Sequence, residues 1–278
     1  MAAASYVLVG CATPSAPRDE ASATTQAAPS IDVFFSEFTD AWMRRNPNAA
    51  TASGYFTGDV QDALDRQITP QTDAYEDETL ALARQGLARL ATFDRAAMDD
   101  TTRVSAELMR WQLQSIVDGA PYLDLSFPLQ QMSGANVGLP NLMTVIHPLR
   151  NARDAENYVA RLRIVGTRMG EATAEARDQA ARGVLPPRFI LDATIAQMRQ
   201  FIAPPAAKNP LVTTLADKLG GVAAVDPARR MALVADATAV VEAGVYPAWR
   251  AAITELESQR PRATDDAGLW RFPDGAAA

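Results

Sequence analysis

Residues 151–183 read NARDAENYVARLRIVGTRMGEATAEARDQAARG, and the periodicity of this stretch decides the fold. Tyr158, Leu162, Val165 and Met169 recur at steps of four and three residues, and Ala172, Ala176 and Ala180 continue beyond them. Such spacing places one apolar stripe along a helix. A helix is therefore predicted from Asn151 or Asp154 to Gly183, where a glycine followed by Pro186 and Pro187 ends it. Its alanine face allows close approach by a neighbouring helix.

Working outward, the same logic applies on both sides. Before this stretch, Ser30 is a candidate N-cap for a helix carrying Ile31, Phe34, Phe35, Phe38 and Trp42 and stopping near Asn46-Pro47. A short helix at Pro47 to Ser53 leads into a loop through Gly54 and Gly58. A helical segment from Thr69-Pro70 to about Phe93 follows, with Leu80, Leu87 and Leu90 behind acidic Asp73, Glu76 and Asp77. Asp99 or Asp100 caps the next helix, whose predicted buried stripe is Val104, Leu108, Trp111 and Ile116 and which lies antiparallel to its predecessor. Residues 121–148 read as a long irregular connection interrupted by a short helix at Asn141 to Ile146.

After Gly183, helices are predicted from Pro187 to Pro204 and from Asn209-Pro210 to Gly220. A last one is capped by Asp226-Pro227, with Met231, Val234, Val241 and Val245 on one stripe and Thr238 at its middle step. It continues past Pro247, which should kink it, into Trp249, Ile253 and Leu256. No fixed repeat period is present, so the predicted class is all-α, an irregular multi-helix array.

Composition bounds the function. The chain has 278 residues, 48% of them hydrophobic, enough for a substantial core. A net charge of −7, with arginines interspersed among acids, lacks the clustered basic face that phosphate binding needs, which argues against nucleic acid. Beyond the N-terminus no run of about 18 uncharged apolar residues predicts a membrane span.

Residues 1–11 form an uncharged apolar segment ending Leu8-Val9-Gly10-Cys11, which resembles a bacterial lipobox. Cys11 is then the expected lipidation site, and the protein is expected on the periplasmic side of the envelope, as an outer-membrane lipoprotein. The segment lacks a basic start, so the true start is expected upstream. Residues 12–29, rich in Ala, Ser, Thr and Pro, read as a flexible linker, and 30–278 as one α-helical domain, incomplete at its C-terminus.

No residue set supplies chemistry. Cys11 is the single cysteine and His147 the single histidine, so neither a disulfide nor the usual zinc set can be assembled. There is no G-x-S-x-G elbow, and Gly220-Gly221 is not followed by a phosphate-loop lysine. His147, before Pro148, reads as a hydrogen-bonded loop histidine. Asp99-Asp100 and Asp265-Asp266 read as caps and turns rather than acid/base pairs. Catalytic and metal-ligating residues are thus none in this chain. Irregular turns on a rigid frame commonly present binding groups, so Arg150 and Arg188, beside the long connection and the turn at 183–189, are the candidates for substrate or partner contact.

Several segments together resemble the bacterial domain-of-unknown-function family 885. They are Asn48 to Gly54 (NAATASG), Asp154 to Leu162 (DAENYVARL), Gly183 to Leu191 (GVLPPRFIL), Val245 to Trp249 (VYPAW) and Gly268 to Gly275 (GLWRFPDG). The resemblance implies an exported helical protein, often a lipoprotein of about twice this length, similar to gluzincin-type zinc metallopeptidases. It places zinc, with a His-Glu motif and a further histidine, in a C-terminal half absent here, so this chain would be the N-terminal half and inactive alone. The implied partners are the membrane through the lipid anchor, a peptide substrate and the C-terminal half. The other reading is a stand-alone helical envelope lipoprotein that binds or scaffolds. An exposed apolar face would favour the first, a closed surface the second.

Overall fold

A computed structural model describes residues 30–272 and 275, and every regular element among them is helical. Cys11 and the segments 1–11 and 12–29 lie outside the described residues. In chain order the helices are α1 (Ile31–Arg45), α2 (Pro47–Ser53), α3 (Gly58–Asp65), α4 (Asp73–Leu90), α5 (Asp100–Gly119) and α6 (Ala135–Asn141). They continue with α7 (Ala152–Ala181), α8 (Arg188–Ile202), α9 (Pro210–Leu219), α10 (Pro227–Val240) and α11 (Tyr246–Gln259). Polar caps set many of the starts: Ser30, Thr72, Asp99, Asn151, Asn209 and Asp226 each accept a hydrogen bond from a first-turn amide.

The 30-residue α7 is the axis of the main core. Its stripe of Tyr158, Leu162, Val165 and Met169 is wholly buried, in one apolar core with residues of α6, α8, α9, α10 and α11. Two glycines let α7 approach the chain between α10 and α11: a Cβ on Gly166 would lie 2.9 Å from the carbonyl oxygen of Gly244. Gly244 belongs to a π-turn, Val241–Val245, that joins α10 to α11. Pro247 cannot donate to the carbonyl one turn back and its ring crowds it; the wider π-turn just before it absorbs the misfit where the sequence predicts a kink.

A smaller cluster of Phe34, Leu90 and Ala106, with Ile31, Phe35, Phe38 and Phe93 packed on it, joins α1, α4 and α5. Here the predicted stripe of α5 is corrected. Ala106 and Leu113 are buried, whereas Val104, Leu108 and Trp111 are 63%, 54% and 67% exposed. The cause lies on α4: Gly86 has no side chain, and Leu113 and the Phe38 ring fill that space. The small face of α5 therefore meets α4, and its bulky face is turned outward.

Other departures have similar causes. On α10 the buried residues are Leu233 and Ala237, in line with Val241 and Val245, and Met231 is exposed. The loop predicted at Gly58 is α3, where Gln61 Oε1 accepts from Phe56 N at 2.9 Å before the first turn. The helix expected at Asn141 begins six residues earlier, at Ala135, because burial of Ala135, Leu139, Leu142 and Met143 outweighs the breakers Gly138 and Pro140.

Candidate functional site

Beside the apolar stripe of α7 runs a polar one, Asp154, Asn157 and Arg161, also buried. Asn151 caps the helix by accepting from Asp154 N. The Asp154 carboxylate accepts from Arg150 through both its amide (2.8 Å) and its Nε (2.9 Å). Asn157 accepts from Arg66 Nε at 2.7 Å and donates to Asp62 at 3.3 Å. Arg161 donates to the carbonyls of Gln67 (2.6 Å) and Pro47 (3.3 Å) and, through Nη1, to His147 Nδ1 at 3.4 Å. Three successive turns of α7 thus hold α2, α3 and the loop before α7.

His147 is 1% exposed, and its Nε2–H donates to the Asp154 carbonyl at 2.9 Å. With Nδ1 accepting from Arg161, the imidazole is the neutral Nε2–H tautomer. Burial holds its pKa down to about 4, the Asp154 carbonyl opposing and the Arg161 charge assisting. Arg161 has no carboxylate in contact, and burial lowers its pKa to about 10. Nearby Asp65 accepts from Thr51 Oγ1 at 2.7 Å and Gln61 Nε2 at 2.8 Å.

Above this network opens a polar cleft of about 770 Å³ between α2, α3 and the segment 146–154. Arg150, a predicted contact residue, lines it with a side chain 68% exposed although held by Asp154. Arg153 lines it too, paired with Asp62 at 3.1 Å. The cleft can make directional hydrogen bonds, but His147 lies beneath it with both nitrogens engaged. Among the described residues no three His, Cys, Asp or Glu side chains converge as metal ligands.

The long connection also lines a second cleft, of about 460 Å³, with Phe127, Pro128, Gln130 and Gly134 on one side and Tyr75, Glu76 and Glu175 on the other. Burial, then the charges of Glu76, Asp73 and Asp124, push Glu175 up to about 7, and Arg182 pulls the other way. Glu76 is raised as well, first by burial and then by Asp73. Gln179 donates to both Glu175 (3.1 Å) and the Ser126 carbonyl (3.0 Å), tying α7 to the connection. Glu175 is therefore a carboxyl able to exchange a proton near neutrality.

Arg188 lies in neither cleft. Its amide donates to Thr264 O and its guanidinium to Ala263 O at 2.7 Å, so it fastens the segment after α11 to the start of α8. Sequence reasoning singled out neither Arg161 nor Glu175. A signal for Arg161 was present: Asp154, Asn157 and Arg161 repeat at helical spacing beside the apolar stripe. For Glu175 there was none, because its neighbours Glu76 and Asp124 are distant in sequence.

The chain is thus an irregular helical array packed around one long axial helix, with two polar clefts beside it. It belongs to the family described as bacterial protein of unknown function (DUF885), whose model matches residues 47–278. No curated protein matches it. A candidate lipoprotein from Colwellia psychrerythraea shares the fold with a TM-score of 0.75 at 17% identity, over 88% of this chain and 44% of that one. A candidate lipoprotein of unknown function from Shewanella oneidensis aligns with a TM-score of 0.56 at 17% identity, over 84% of this chain and 38% of its own. The chain spans less than half the length of either structure.

Proposed function

We propose that this chain is the helical, N-terminal portion of an exported, lipid-anchored protein of zinc-peptidase type, and that zinc and the catalytic glutamate belong to a C-terminal half. The observation that supports a longer whole protein is the length relation, since 88% of the chain accounts for only 44% of the Colwellia protein; the zinc-peptidase type rests on the family resemblance alone. The description of both solved relatives as candidate lipoproteins supports the anchor at Cys11 and a place in the envelope. In this reading the polar cleft with Arg150 is one wall of a peptide-binding surface, its guanidinium offered to a peptide carboxylate or carbonyl. Arg188 has the supporting role of holding the chain after α11 in place.

The test is the native product in the envelope, measured for mass, bound zinc and peptide hydrolysis. A product roughly twice as long that holds zinc and cleaves peptides is the expected result. A product of this chain's mass that holds no zinc removes the peptidase reading. The chain would then be a stand-alone helical envelope lipoprotein that binds or scaffolds.

A further inference from the structure

Asp65, the last residue of α3, is 3% exposed and lines the polar cleft between α2, α3 and residues 146–154. Its Oδ1 accepts from Thr51 Oγ1 at 2.7 Å and from Gln61 Nε2 at 2.8 Å. Those two donors fix the carboxylate, while Oδ2 accepts no hydrogen bond from any described residue and is not sealed from solvent. Among the described residues no cation forms an ion pair with it: Arg150 is paired with Asp154, and Arg153 with Asp62. Arg161 and Arg150 sense the Asp65 charge only at longer range. A buried, oriented carboxylate with one unused oxygen calls for a further donor from the cleft.

The position on α3 sharpens that demand. At the C-terminal end of a helix the backbone carbonyls carry partial negative charge, which favours a cation and disfavours an acid. With Asp59, Asp62 and Asp154, the cleft holds four carboxylates against the two guanidiniums of Arg150 and Arg153. The donor that fits is therefore positively charged. Among the described residues no three acidic, His or Cys side chains converge, so an ammonium group suits Asp65 better than a metal ion, which needs several oxygen ligands. Arg150 supplies the opposite sign in the same cleft. Asp154 takes its Nε and Nη2, while Nη1 makes no hydrogen bond to a described residue and the side chain is 68% exposed.

We propose that Asp65 anchors the free α-ammonium end of a short peptide in this cleft, with Arg150 receiving a carbonyl or carboxylate of the same peptide. The inference rests on the peptide-wall part of the proposed function and adds which end of the peptide the cleft takes. Because Thr51 and Gln61 already hold the carboxylate in place, binding spends little on ordering it.

The experiment titrates the full chain by calorimetry with trialanine, N-acetyl-trialanine and N-acetyl-lysine methylamide at pH 7, where a peptide's amino terminus is charged. Expected is saturable binding of trialanine, weakened at least tenfold by N-acetylation and as much by Asp65→Asn, which keeps an acceptor for Thr51 and Gln61. An unchanged circular dichroism melt shows that the variant is folded; should it not fold, free and acetylated trialanine on the parent chain decide alone. Equal binding of those two peptides overturns the inference and leaves the cleft as a peptide wall. Discrimination between them that a folded Asp65→Asn chain retains places the ammonium elsewhere and overturns it too. Binding of the lysine probe as tight as that of trialanine overturns the choice of the peptide's terminus. Absence of saturable binding by every probe removes both the inference and the peptide wall, whereas Asp65-dependent binding by a native product without zinc removes only the peptidase reading.

Discussion

Arg161 Nη1 lies 3.4 Å from His147 Nδ1, so a fully buried guanidinium donates to the acceptor nitrogen of a neutral imidazole. The same guanidinium caps the carbonyls of Pro47 and Gln67, so a single side chain on α7 fixes α2 and the loops after α3 and before α7. Substitution Arg161→Met leaves two carbonyls and one ring nitrogen without a donor, while it also removes a buried charge. The net expected loss is about 2 kcal/mol of stability, measured as a lower urea midpoint with unchanged slope.

His147 gives stability a defined acid limb. Its folded pKa of about 4 lies below the ordinary 6.5, so the unfolded chain takes up the proton first as pH falls. The contribution is complete above pH 6.5 and is lost progressively as pH falls from there through 4. It is worth up to about 3 kcal/mol for so buried a ring. Urea melts between pH 7 and 4 should show this slope, and His147→Gln should flatten it.

Glu175 acts with the opposite sense. Its folded pKa of about 7 lies above the ordinary carboxylate value of 4.5, so it favours the folded state fully below 4.5 and loses that contribution as pH rises through 7. Because the side chain is partly open to solvent, screening reduces the expected effect to about 1 kcal/mol. Glu175→Gln should stabilise the protein at pH 8 and leave it nearly unchanged at pH 4, as thermal melts at the two pH values would show.

Gly166 tests the close approach of α7 to Gly244. A methyl group there meets the Gly244 carbonyl at 2.9 Å, and the obstacle is backbone that cannot rotate away. Gly166→Ala should cost about 2 kcal/mol despite alanine's better helix propensity, whereas Gly170→Ala, with open space around it, should be neutral or slightly stabilising. Denaturant midpoints of the two variants provide the comparison.

Arg188 offers a local test. Its bonds to the segment at Ala263 and Thr264 place it as a fastening, so Arg188→Ala should speed hydrogen exchange at residues 263–272 and leave that of α7 unchanged.

These residues also mark how far sequence alone reaches. The axial helix, its Tyr158–Leu162–Val165–Met169 stripe and the caps at Ser30 and Asp226 were legible, because period and capping are properties of a few neighbouring residues. The face that α5 buries was not. Its bulky stripe is the better candidate by periodicity, yet Gly86 on another helix opens room for Leu113 and turns Trp111 outward. Helix 135–146 was legible only at its end, since Gly138 and Pro140 oppose it locally and its support is the core beneath.

The helical class and most helix boundaries follow from local signals in the chain. Which stripe of each helix is buried, the shared buried network of Arg161 and His147, and the place of Glu175 among other carboxylates emerge only with the assembled fold. Propensity, periodicity and capping act within one or two turns of a helix, whereas desolvation and close packing depend on whichever distant residues the fold brings alongside.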